Sequence, residues 1–207
     1  MANDDYARGL VPINWPKTAV HYYRIGTATD VFLGEAVDLA STGFITNAID
    51  VTTAGIVQAI GVAVGFAGPL KKGLACDDPF LDVSDLSTLA SGLEAGDRWV
   101  AVADDPNQVF IIQGDTGGTI AGIANVGETA ACIYRAGGSG NTTSGWANLE
   151  MDASSNAAST GQLLRIVGIH DAVNVDGTEN TGVANYCKFQ VRILRHRLTQ
   201  SNLTSAV

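Results

Sequence analysis

The stretch "RWVAVADDPNQVFIIQGDTGG", Arg98 to Gly118, decides the fold. Two apolar, β-branched runs flank Asp104-Asp105-Pro106. Aspartate side chains hydrogen-bond their own backbone in turns, and proline fixes φ at about −65°. The stretch therefore predicts a strand, a turn opened by Asp-Asp-Pro, and a second strand over Gln108–Gln113. Gly114–Gly118 is the glycine-rich turn that ends it.

The same stretch raises a chemical question. Asp115-Thr116-Gly117 is the tripeptide that holds the catalytic carboxylate of aspartic proteases, and Gly114–Gly118 differs by one hydroxyl residue from the "GDSGG" of trypsin-like enzymes. An aspartic dyad needs two carboxylates sharing one proton, hence a symmetric dimer here. Gln113 and Gly114 also separate the apolar strand from Asp115. A serine-protease arrangement has "TAVH", Thr18–His21, as its histidine echo, but its nucleophile would be Thr116, whose methyl group crowds the attack path. A turn is the stronger expectation for both motifs.

Outward from this stretch, β signals recur. "AVHYYRIG", "VFLGEAVDLA", "GFITNAIDV", "IVQAIGVAVGF", "TAACIYRAG" and "QLLRIVGIHDAV" are β-type runs closed by turn residues. In "YCKFQVRILRHRL", Cys187, Phe189, Val191 and Ile193 alternate with Lys188, Gln190 and Arg192, the pattern of a half-buried strand. One helix is predicted in "DVSDLSTLASGLEAGD", where Leu86, Leu89 and Leu93 have helical spacing behind Ser84 or Asp85 as cap. The expected fold is mainly β: an antiparallel sandwich or barrel-like domain with long loops, at most one short helix, and an extended N-terminal arm. Residues 1–20 form the arm, because Pro12 and Pro16 flank Trp15 and forbid a helix or central strand. Residues 21–198 form the β-rich domain, open to division into two small subdomains near 80–97, and 199–207 form a tail. Two polar stretches, Ala136–Gly161 and Asn174–Asn185, are expected as contact loops.

The composition narrows the function classes. The chain has 207 residues, 46% of them hydrophobic, and a net charge of −9. Such acidity disfavours nucleic-acid binding. Yet residues 161–207 place five cations (Arg165, Lys188, Arg192, Arg195, Arg197) against three acids (Asp171, Asp176, Glu179), which suits docking onto a complementary surface. The opening "MANDDYARGL" lacks an apolar signal core, and "AIGVAVGFAGPL" is too short to span a membrane. Cys76, Cys132 and Cys187 form neither a disulfide framework nor a zinc pattern. His21, His170 and His196 are scattered, and His170-Asp171 is expected as a strand-end pair. Asp77, Asp78, Asp104 and Asp105 are oxygen donors suited to calcium, but turn formation explains them better. No cofactor and no metal site is expected.

The order of segments resembles the capsid decoration, or cement, proteins of tailed bacteriophages. The resemblance begins at "HYYRIGTATDVFLGEAVDLASTGFI", with its "Y-x-I" strand and "I/V-F-x-G-D/E-x-V" turn, and continues through "VQAIGVAVGF". "RWVAVADDPNQVFIIQGD" is similar to the family's "V-x-D-D-P-x-x-x-F-x-V-Q", and "NTTSGWANLEMDASS" with "QLLRIVGIHDAVNVDGTENTGVANYCKFQVRILRHRL" follows as polar segment and closing strands. It spans about residue 20 to 198; the Asp-Asp-Pro repeated at 77–79 and the long loop at 174–185 depart from it.

The resemblance implies a non-enzymatic virion protein on the capsid exterior, assembled in the host cytoplasm. It would bind the major capsid protein and self-associate as a homotrimer, with no nucleic-acid or membrane partner. Expected partner contacts are Tyr6 and Trp15 of the arm, and Arg192, Arg195 and Arg197 facing acidic surfaces. The alternatives are another virion component (head-fibre base, tail or connector) and, more remotely, a β-barrel protease using Asp115 or Thr116.

Overall fold

The Asp-Asp-Pro turn joins two strands that belong to different sheets. The computed structural model describes residues 7–13, 19–25, 30–48, 58–67, 80–81, 99–115, 122–135, 138–155, 162–170 and 187–199. The first five-stranded sheet has the order β1 (Val11–Pro12), β9 (Phe110–Gln113), β14 (Lys188–Ile193), β13 (Leu164–Ile169), β10 (Thr129–Ala130). The second has the order β2 (Val20–Arg24), β8 (Trp99–Ala103), β6 (Gly61–Ala67), β4 (Ala36–Leu39), β5 (Ile45–Asn47). Two small pairs complete it: β3 (Val31–Phe32) with β7 (Phe80–Leu81), and β11 (Cys132–Tyr134) with β12 (Leu149–Met151). Every strand pairing among these elements is antiparallel. The protein is a mainly β sandwich, and the described sheets do not close into a barrel.

Period-two alternation decides what each strand buries. On β14, Phe189, Val191 and Ile193 point into the main core, joined by Cys187 just before the strand. Phe110 and Ile112 of β9 and Leu164 and Ile166 of β13 share that core. The second sheet supplies Ala36, Val62 and Ala103 from its facing side. Their strand neighbours Val37, Ala63 and Val102, with Val100, point the other way into a second cluster with Ile25, Val31, Ile45 and Ile60. The middle strands of this sheet are thus buried on both faces. That explains the near-continuous apolar runs "WVAVA" and "AIGVAV".

Three parts add to what the sequence predicts. Residues 7–13 of the N-terminal segment lie on the chain's own first sheet: Val11 pairs with Ile111, and Ile13 N–H donates to Val109 O at 2.9 Å. Pro12 is tolerated because β1 is an edge strand. Second, part of the long polar segment is not a contact loop. Leu149 and Met151 are fully buried, and β12 pairs with β11, Tyr134 opposite Leu149. Third, a 3-10 turn at Gly122–Asn125 precedes β10. The helix expected near 82–97, and with it the subdomain boundary, lies outside the described residues.

One crossing fixes where the N-terminal segment sits. Gly9 (φ 65°) and Gly34 (φ 82°) pass each other with no room for side chains. A Cβ on Gly34 would stand 2.1 Å from Arg8 O. Leu10 N–H then donates to Gly34 O at 2.8 Å, and the Leu10 side chain is fully buried.

Candidate functional site

The β2–β8 pairing brings together the ionisable groups with the most chemical character. Its register sets His21 against Val102 and Tyr23 against Val100, all on one face. Asp104 follows Val102 with the same parity and so arrives beside His21 and Tyr23. His21 Nδ1–H donates to both carboxylate oxygens of Asp104, at 2.8 and 2.9 Å. Tyr23 O–H donates to the same carboxylate at 2.6 Å. Asp104 is only 4% exposed, whereas the His21 side chain is 68% exposed. A buried carboxylate accepting these donors avoids the heavy cost of an unpaired buried charge. Burial, then the hydrogen bond to Asp104 and its negative charge, push the Tyr23 phenol well above its ordinary range, so it stays a donor.

A second histidine lies near the same carboxylate. His196 follows β14 and is 1% exposed. Its Nδ1 accepts Leu198 N–H at 3.2 Å. Burial lowers its basicity, opposed by the charges of Asp104, Asp105 and Asp38 and by a hydrogen bond to the Asp104 backbone. The segment around it stitches the two sheets together: Ala59 N–H donates to Arg195 O and Arg197 N–H to Ala59 O. Arg197 grips Asp38 of β4 with two contacts of 2.7 Å.

These positions revise the expectations. Asp104 and Asp105 do different work: Asp105 makes the turn, with Oδ1 accepting Asn107 N–H at 2.8 Å, but Asp104 is the buried acceptor. Asp115 ties β9 to the end of β12, its Oδ1 accepting Ala153 N–H at 2.9 Å and its N–H donating to Met151 O at 3.0 Å. It lies at the far end of β9 from Asp104, and about 3.3 Å of rise per residue over 110–115 gives roughly 17 Å of strand. His21 therefore pairs with Asp104, and the two halves of a protease triad do not meet through Asp115. Thr116, Tyr6, Trp15, Asp77, Asp78, Cys76 and Asp171 lie outside the described residues. Among the described residues no group of three or more His, Cys, Asp or Glu side chains is placed to hold a metal ion. Likewise no helix is long and apolar enough to cross a membrane. Cys132 and Cys187 form no disulfide among the described residues, and burial raises the Cys132 thiol above its usual range.

The expected arginine contacts separate. Arg197 is held by Asp38, Arg195 has an internal interaction of its own, and Arg192 is exposed on the outer face of β14.

One buried acid escaped the sequence. Glu35, in the turn "VFLGEAV", is fully buried. Its Oε2 accepts Phe32 N–H at 2.9 Å, and its Oε1 accepts the Tyr134 hydroxyl. Burial pushes its carboxyl up to about 7, with the two donors opposing and Asp30 adding to the rise. The Gly-Glu pair of this turn thus joins the N-terminal segment, β3, β4 and β11.

Comparison with family models and with curated proteins found no match for this chain.

Proposed function

We propose that the chain is a structural protein of the virion. It decorates the outer surface of the major capsid lattice, stabilises the head as a cement protein, and self-associates as a homotrimer. The observation that supports this most is the outer edge of β2. It is the longest edge strand of the two sheets, and no described strand pairs with its outer side. His21, Tyr22 and Arg24 are exposed there, with Tyr22 at 60%. An edge with no described strand beside it, bearing an aromatic side chain, suits addition of an extended segment from a neighbour, by main-chain hydrogen bonding.

The motif residues behind the resemblance fit the same role. Gly34 and Glu35 close a buried junction, Asp105 makes a turn, and Asp104 accepts bonds from β2. Each does folding work of the kind a shell protein needs. Binding only the assembled lattice would stabilise it by mass action.

The test is co-sedimentation of the purified chain with shells assembled from the major capsid protein of the same virus. Saturable binding at on the order of hundreds of copies per shell, with raised resistance to heating, is expected. Failure to bind, or binding at about a dozen copies or fewer, would reject decoration and favour a tail or connector role.

A further inference from the structure

The outer face of the first sheet holds a charge arrangement that the fold itself does not use. On β14 the alternation that buries Val191 turns Lys188, Gln190 and Arg192 outward. The register with β13 sets Arg192 directly opposite Arg165, and both are exposed. Inward, Ile166 stands opposite Val191, both fully buried, so a one-residue slip would bury the arginines.

Directly opposed side chains start about 5 Å apart at Cβ, and like charges there are destabilising. Neither Arg165 nor Arg192 has an ion pair or hydrogen bond among the described residues. Other exposed cations are engaged: Arg197 on Asp38, Arg24 over the Trp99 ring at 5.2 Å, Arg8 over Trp146 at 5.8 Å. The chain has 21 acidic residues, yet none of the described ones pairs with these two. This like-charge pair on the outer face of the sheet has no described anion beside it.

We infer that Arg165 and Arg192, with Lys188 on the same face of β14, form a binding site for a carboxylate-rich segment of another protein. The guanidinium fork matches a carboxylate in two parallel hydrogen bonds, and two forks side by side accept acidic residues of one segment together. A polynucleotide is the poorer match, because it needs a broad basic footprint and the whole chain has a net charge of −9. The inference does not depend on the virion role. A carboxylate-rich segment that can reach the outer face of this sheet meets the chemistry.

The experiment uses the full chain and a fluorescent hexaglutamate peptide, followed by anisotropy at low salt. The wild-type chain binds the peptide, more weakly as salt rises. The Arg165→Gln/Arg192→Gln double variant binds at least about 10-fold more weakly, since charge-assisted pairs are lost. The same variant melts no lower than wild type, which separates a lost site from a lost fold. Absence of wild-type binding, or equal affinity in the double variant, would overturn the assignment. So would tighter binding of an oligothymidylate of equal charge, which would give the face to nucleic acid.

Discussion

Glu35 makes the stability of this protein fall as pH rises toward neutrality. Its carboxyl is raised from 4.5 to about 7, chiefly by burial. A group whose folded pKa is raised holds its proton in the folded state over the window where the unfolded chain has lost it. Its contribution is fully present below about pH 4.5 and is lost as pH climbs through about 7. Each pKa unit corresponds to about 1.4 kcal/mol, so this group removes about 2–3 kcal/mol of stability between pH 5 and 8. Glu35→Gln keeps an acceptor for Phe32 N–H and offers an amide to Tyr134, with no charge to bury. Urea unfolding of both proteins at half-unit steps from pH 5 to 8 isolates the effect, because other titrating groups cancel in the difference. The variant should gain on the wild type by about 2–3 kcal/mol across that range. A difference that stays flat with pH would show that Glu35 ionises normally and that its burial is relieved by solvent.

Three further perturbations follow from the geometry. Asp104→Asn removes the charged acceptor of His21 and Tyr23 and should lower stability by about 2–3 kcal/mol, against about 1 kcal/mol for Tyr23→Phe, by chemical denaturation. Gly34→Ala places a methyl 2.1 Å from Arg8 O at a φ of 82°; it should detach residues 7–13 from the sheet, seen as faster proteolysis near Arg8. Arg165→Gln relieves a like-charge pair and should raise stability by about 0.2–1 kcal/mol, a gain that added salt shrinks.

The residues that a sequence displays best are those with local periodicity. The inward face of β14 was legible because Phe189, Val191 and Ile193 alternate with polar neighbours. The mainly β class followed from such runs and the turns between them, while the choice between sandwich and barrel needed the sheet pairings. What stayed hidden depends on pairing between distant segments. Asp104 looks like Asp105 in "ADDPN", and only the alignment of β2 with β8 separates buried acceptor from turn former. Had Val100, Val102 and Asp104 been read as one continuing face, the aspartate would have stood out as a polar end to an apolar row. Arg192 could be placed on an outer face by parity, but Arg165 could not be set opposite it without the β13 register. β12 was masked by its polar surroundings, although Leu149 and Met151 were among the few large apolar residues there. The edge strand β1 is two residues long, below the length at which alternation shows.

The central claim is that this chain sits on the outside of a capsid. Imaging of the intact particle at a resolution that locates subunits tests it most directly. The account predicts a β sandwich repeated across the outer lattice, at local threefold positions. Density confined to the tail, connector or a single vertex, or its absence from the particle, would contradict it.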